Sequence, residues 1–317
     1  MDRDFSHSPR DESTLDFKKA SLKERFTCLC GGISPRPIAL VSTIDKEGKV
    51  NLSPFSFFNV FSSTPPILIF SPALGGREKI RKHSLDNVSD CPEAVIHVVT
   101  RSMVEQASLS SVAYPKGVNE FVKAGFTAIP SSQVRPPRVA ESPVAFECQV
   151  QQIISLGTEG GAGQLVLAEV LLSHVHKRVL DKDGLIDPVK LNPVARLGKD
   201  YYAEVNAQSL FEVEKPVGKK SLGVDALPSH IHHLGLSGNE IGKLGGTEQL
   251  PSPADCKAFR SQKIWQEFQH DLNTPSSNPS SWKSQALSHV QKLLHKNQIQ
   301  EALLLLSQPE WTSEKLS

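Results

Sequence analysis

The stretch from Val41 to Ser71, VSTIDKEGKVNLSPFSFFNVFSSTPPILIFS, decides how this chain folds. Short runs of β-branched and aromatic residues are broken by turn chemistry, Asp45-Lys46-Glu47-Gly48 first and Ser63-Thr64-Pro65-Pro66 later. The pattern predicts strands over Val50 to Val60 and Ile67 to Ser71, with a hairpin turn at Asp45 to Gly48. Pro54 and Pro65-Pro66 remove ladder donors, which frees neighbouring backbone N–H groups to face something other than a strand. Ser42, Thr43, Asn51, Ser53, Ser56, Asn59, Ser62 and Ser63 crowd the region with more small polar groups than a plain core tolerates. Buried polar groups need partners, so the set points to a bound polar ligand.

Working outward, Pro37 to Ile44, Ala94 to Thr100, Val144 to Ser155 and Gln164 to Val175 also read as strands. The glycine-rich Gly157 to Gly163 joins the last two as a hairpin with a floppy tip. Helical period is confined to short pieces at Arg77 to Val88, Ser102 to Ser110 and Asn119 to Ala124. Five or six strands without βαβ alternation predict a mainly β fold, a closed antiparallel barrel with short peripheral helices. The expected organisation is a polar N-terminal tail over 1–25, the barrel domain over 26–205, an irregular extension over 206–270 and a low-complexity linker over 271–281. A helix or helical hairpin follows over 282–308, with Ser280 or Ser281 as N-cap. Its apolar positions are Trp282, Ala286, Val290, Leu293 and Leu294, then Ile299 to Leu306 after the polar break His295-Lys296-Asn297.

Composition excludes several classes. The 317 residues are 38% hydrophobic, so the chain is not disordered as a whole. Thirty-five Lys and Arg against 34 Asp and Glu leave +1, with no global charge for nucleic acid or an anionic membrane. An oligonucleotide-binding barrel is further disfavoured by 6% aromatics. No apolar run is long enough to span a bilayer, and Met1 to His7 lacks the flank of a signal peptide, so a cytoplasmic location is expected. Five cysteines with only a Cys28-x-Cys30 pair suggest reduced thiols and no structural zinc. His174 and His176 share a strand face without a third ligand in view, and His230-Ile231-His232-His233 reads as an exposed polar loop, so no metal is expected.

Ile33 to Thr43 (ISPRPIALVST), Asn51 to Phe58 (NLSPFSFF) and Ser62 to Pro66 (SSTPP) resemble the flavin reductase-like, FMN-binding split-barrel family, which includes flavoredoxin and the reductase components of two-component monooxygenases. The likeness continues through Arg135 to Val139, Glu141-Ser142-Pro143, Glu147-Cys148, Ala168-Glu169-Val170 with His174, and Arg196-Leu197-Gly198 before Tyr201. The resemblance implies a homodimer of Greek-key split barrels that holds FMN at the interface, takes hydride from NAD(P)H and passes electrons to an unidentified acceptor. An FMN-binding protein without turnover, its extension serving assembly or storage, is the alternative. The PFSFF and RPPRV strings argue against the pyridoxamine-phosphate oxidase branch of the same architecture.

FMN carries a phosphate dianion, best met by a guanidinium, an ammonium and hydroxyls or N–H groups at a helix start. Arg36, Lys82 and Ser84 are the expected phosphate ligands. The family usually reads K-D-T-x-x-N where this chain has Lys82-His83-Ser84-Leu85-Asp86-Asn87, so His83 replaces the acidic member. By the resemblance Asn51, Ser53, Pro54, Phe55, Ser56 and Phe57 line the flavin ring, Ser71 completes the cofactor set, Ser56 faces the N5 side and His174 serves the nicotinamide side.

Overall fold

Pro54 marks where the sheet breaks. The expected single strand over Val50 to Val60 is two strands: pairing stops at Phe55, and after Ser56-Phe57 the chain resumes at Phe58 on the opposite edge of the same sheet. The computed structural model describes residues 12–76, 80–213, 221–273 and 282–311. The chain divides into two units, Met1–Leu210 and Phe211–Ser317.

Strands of the first unit are β1 (Arg36–Pro37), β2 (Ala39–Ile44), β3 (Val50–Phe55), β4 (Phe58–Ser63), β5 (Pro66–Phe70), β6 (Glu93–Val98), β7 (Ala128–Ile129), β8 (Arg138–Val139), β9 (Val144–Ser155), β10 (Gln164–Val175), β11 (Val194–Arg196) and β12 (Tyr202–Glu204). Its helices are α1 (Leu22–Gly32), α2 (His83–Asp90), α3 (Val104–Leu109), α4 (Glu120–Ala124) and α5 (Pro188–Leu191). Among the described residues the main sheet is antiparallel throughout, ordered β3-β2-β6-β9-β10-β5-β4. Its two edge strands are consecutive in sequence, and a link of two residues reaches at most about 11 Å, so the sheet curls until its edges lie close. Register shifts in β10 at Leu167/Ala168 and Val170/Leu172 supply bends of the kind bulges produce. No ladder joins β3 to β4, which corrects the expected closed barrel. The reason is chemical: Pro54 has no N–H, and the Leu52 N–H donates to Glu120 Oε2 at 3.0 Å instead of to a strand.

β2 is buried on both faces. Ala39 and Val41 pack with Phe55, Phe70, Ile96, Cys148 and Val166, while Leu40 joins Leu52, Met103, Val104 and Phe121 beneath α3 and α4. The β2–β3 turn forms as read, with Gly48 at φ 80° and Asp45 Oδ1 accepting from the Glu47 and Lys49 amides.

Several expectations change. The Gly157–Gly163 tip is pinned: Leu74 N–H donates to Ala162 O and Gly161 N–H to Leu74 O, each at 3.0 Å. A Cβ on Gly160 would lie 2.0 Å from Gly76 O, so glycine there permits backbone contact. The helix expected at Arg77 to Val88 begins only at His83, and 77–79 lie outside the described residues. Within the expected tail, α1 starts at Leu22 on a Ser21/Glu24 capping box.

The second unit contains α6 (Gly238–Gly245), α7 (Pro253–Phe259), α8 (Lys263–Asn273), α9 (Trp282–His295) and α10 (Ile299–Leu306). The segment 206–270, expected to be irregular, is therefore largely helical in its later half. Its helices are too short for period to dominate, but α6 and α7 begin on Ser237/Glu240 and Ser252/Asp255 capping boxes. Phe259, Phe268, Val290, Leu294, Leu303 and Leu306 form its core. Ser280 and Ser281 lie outside the described residues, and Asn297 at φ 60° separates α9 from α10. His230 is no exposed loop residue: it sits in a 3-10 turn and donates to Leu306 O at 2.9 Å. Among the described residues, no helix is long and apolar enough to cross a membrane, and no group of three His, Cys, Asp or Glu is arranged to hold a metal.

Candidate functional site

The outer edge of β3 runs from Asn51 to Ser56, about 16 Å at strand rise. At the Asn51 end it meets the start of α2. Asn51 Nδ2 donates to Ser84 Oγ at 2.8 Å, and Asn87 Nδ2 to Thr43 Oγ1 at 3.1 Å, so two cross-strand neighbours on β2 and β3 fix the helix. Ser84 accepts from Asn51, and its own hydroxyl proton has no acceptor among the described residues. The first α2 amides, at His83 and Ser84, likewise have no intrahelical acceptor. Lys82 is exposed beside them, and its side chain makes no bond among the described residues. Glu120 lies within electrostatic reach of His83, and burial pushes its carboxyl above the usual range against the opposing pull of the Leu52 amide.

At the Ser56 end β3 forms one wall of a cleft of about 230 Å³. Pro54, Ser56 and Ile38 face Val104, Ala107, Ser108 and Ser111 of the α3 region, with Arg196 and Tyr202 from the small sheet β1-β11-β12. Arg36 is 8% exposed and reaches toward the same serine, Nε to Ser56 Oγ at 3.5 Å. Its Nη1 donates to Cys30 O and Ile33 O at 2.6 and 3.0 Å, and its Nη2 to Leu197 O at 3.3 Å. The guanidinium thus ties down the C-terminal end of α1, whose last carbonyls attract a cation.

A third cluster covers the outer face of β6 and β9. Glu147, fully buried, accepts from the Ser132 and Gln133 amides at 2.8 and 2.6 Å and from His174 Nε2 at 2.6 Å. Burial pushes its carboxyl upward, but these donors win and hold it below the usual range. His97 donates from Nδ1 to Leu40 O and accepts the Val139 N–H at Nε2, so both nitrogens are fixed in the neutral tautomer. Burial lowers its pKa to about 4. Burial likewise pushes the Cys148 thiol up to about 12, which removes it as a nucleophile.

Residues 31–189 match the flavin reductase like domain. The chain belongs to the flavin reductase-like family. An uncharacterized protein of Halalkalibacterium halodurans is 37% identical over 62% of this chain and 93% of its own length. Nitrilotriacetate monooxygenase component B from Bacillus cereus superposes with a TM-score of 0.59 at 28% identity, covering 64% of this chain and 98% of that one. A Shewanella frigidimarina protein described as a flavin reductase with a split barrel domain shares the fold at TM-score 0.54 and 24% identity, covering 62% and 95%.

Within this flavin reductase-like chain the expected residues fall into two groups. Asn51 meets Ser84 beside Lys82, and Pro54 and Ser56 meet in the cleft, with half-buried Ser53 between the two loci on β3. The others are placed elsewhere. Phe55 points into the core of the sheet, its ring centre 5.4 Å from that of Phe70, and the Phe57 ring lies 6.4 Å from that of Phe26 on α1. Ser71 Oγ accepts the Gln164 amide at 3.0 Å, which joins β5 to β10. His174 pairs with Glu147 as described, and Arg36 serves α1. Sequence reasoning gave no role to Arg196, Tyr202, Ser108, Ser111 or Glu120; Arg196 and Tyr202 had been quoted or passed over beside Gly198, where only pairing with a distant strand reveals a cleft.

Proposed function

We propose that this chain is a flavin-dependent oxidoreductase that binds FMN along the outer edge of β3. The observation that supports it most is an edge strand, with a proline next to its last residue, running between a helix start without a side-chain cap and a cleft. Lys82, the Ser84 hydroxyl and the first α2 amides would hold the phosphate. Ser53 to Ser56 would lie along the ring, with Pro54 offering no competing donor. Bound flavin supplies the redox chemistry, so no nucleophile or general base is required of the chain.

Reducing equivalents come from NAD(P)H and leave to a second acceptor: a partner oxygenase, by analogy with the monooxygenase component, or free flavin, a disulfide or an iron centre. The working unit is a cytoplasmic homodimer. Leu22, Phe26 and Leu29 on α1, with Ile33 just after it, are exposed, and so are Phe57, Val60 and Phe61. An apolar surface of that kind suits a second copy.

An anaerobic absorbance spectrum of the full chain, recorded after reconstitution with FMN and again after NADH or NADPH, tests the reading. A flavin band that bleaches supports the reductase. A band that never bleaches leaves a flavin-binding protein, and a colourless preparation overturns the reading.

A further inference from the structure

We propose that the cleft beside Ser56 takes a small planar organic anion, an aromatic carboxylate, with Arg196 as its anchor. The inference deepens the flavin reading and rests on it for what becomes of the bound molecule.

Arg36 and Arg196 lie directly opposite each other in the β1–β11 pair, so their side chains share one face of the small sheet. Arg36 is buried, and its bonds go to neutral carbonyls; among the described residues no carboxylate pairs with it. The carbonyls at the end of α1 answer that charge, and Arg36 still adds a second positive group on the face it shares with Arg196.

Arg196 presents the contact itself. Its guanidinium stacks 4.7 Å above the Tyr202 ring, its cross-strand neighbour. Nη1 donates to Tyr201 O at 3.2 Å and Nη2 to Asp200 Oδ1 at 3.1 Å. Asp200 is fully exposed, so that ion pair is weak and screened. An incoming carboxylate can replace it on the fork and gain the planar two-point geometry that guanidinium favours. Ser108 offers a hydroxyl, whereas that of Ser111 already donates to Ser108 O at 2.6 Å, and Ile38, Val99 and Val104 offer an apolar wall for a ring face. About 230 Å³ suits one ring and lies below the roughly 300 Å³ at which drug-sized pockets begin.

Calorimetric titration of the full chain with sodium benzoate, flavin-free and FMN-loaded, tests the proposal. Benzoate should bind with an affinity that falls as salt rises. Arg196→Gln should weaken it at least about tenfold, and Arg196→Lys should not restore it, because an ammonium cannot fork. Asp200→Asn, at an exposed position that leaves the fold intact, should tighten binding about two- to threefold by removing the competitor. Neutral benzamide should bind more weakly and be indifferent to Arg196→Gln. In a separate arm, nicotinamide mononucleotide tests a phosphate source. The proposal is overturned if the wild-type chain gives no benzoate heat or if Arg196→Gln leaves benzoate affinity unchanged. It is also overturned if the mononucleotide, not benzoate, is the ligand that depends on Arg196, or if Arg196→Gln weakens FMN in place of benzoate. The flavin-free titration reports on the cleft even where the flavin reading fails, so the two failures are distinguishable.

Discussion

Arg36 and Arg196 face each other across the β1–β11 pair, yet their guanidiniums have opposite surroundings: the first is enclosed by three carbonyls, the second lies over a tyrosine ring at a cleft. Like charges directly opposite in a ladder are unfavourable, so each must be compensated by its own neighbours. For Arg36 the compensation comes from the end of α1 and from Leu197.

Arg36→Met should therefore release α1. The loss of its hydrogen bonds, with buried carbonyls left unsatisfied, should cost about 2–4 kcal/mol. Arg36→Lys should recover little, since an ammonium cannot reach three carbonyls in fork geometry. Denaturant unfolding measures the total, and hydrogen exchange should show the α1 amides losing protection first. Unchanged protection in α1 would count against the clamp.

His97 makes stability depend on pH in a definite direction. Its folded pKa, about 4, lies below its ordinary 6.5, so between these values the unfolded chain takes up a proton that the folded chain refuses. Its contribution is fully present above about pH 6.5 and is lost as pH falls toward 4, by about 3 kcal/mol in all. Carboxylates such as Glu147 add their own loss at lower pH, so the test compares urea unfolding of wild type and His97→Gln. The variant should be less stable near neutrality and should lose less on acidification from pH 6.5 to 4. Parallel curves would assign the acid sensitivity elsewhere.

Much of the fold was legible because it is local. Asp45 to Gly48 carries its own hairpin instructions, and Val144 to Ser155 and Gln164 to Val175 form strands over the expected spans. The break at Ser56-Phe57 was not, because Phe55 and Phe58 continue one β-favouring run, and only the sheet order places them on opposite edges. The helices beginning after Ser237 and Ser252 were announced by capping boxes that helical period, weak in so short a helix, concealed. At the site, Asn51 and Ser84 were named from the resemblance and do meet. Arg36 was assigned to the phosphate on the resemblance, and its carbonyl partner Leu197, 161 residues away, was not legible. Distance along the chain also hid the Arg196 cleft.

Lys82 separates cofactor binding from folding. It is exposed, and its side chain caps nothing and has no partner among the described residues, so Lys82→Ala should leave thermal unfolding of the flavin-free chain within about 0.5 kcal/mol of wild type. FMN affinity, measured by quenching of flavin fluorescence, should fall about three- to tenfold, with a smaller dependence on salt. Ser84→Ala should differ by lowering both, because buried Ser84 also accepts from Asn51. If Lys82→Ala binds FMN as wild type does, the phosphate lies elsewhere.

Gly160 tests whether the glycine-rich tip is built for contact or for looseness. An added Cβ would meet Gly76 O at 2.0 Å and Gly76 C at 2.7 Å, both backbone atoms that cannot rotate away. Gly160→Ala must then push the tip off the segment that follows β5, at a cost of about 1–3 kcal/mol. Gly31→Ala is the matched control, since its Cβ would meet nothing within 4 Å and alanine suits a helix better. It should be neutral or slightly stabilising. In Gly160→Ala the amides of Leu74 and Gly161, which bond across this junction, should exchange faster while the β2–β3 hairpin is unaffected. A loose tip would instead absorb the methyl group, and the two variants would unfold alike.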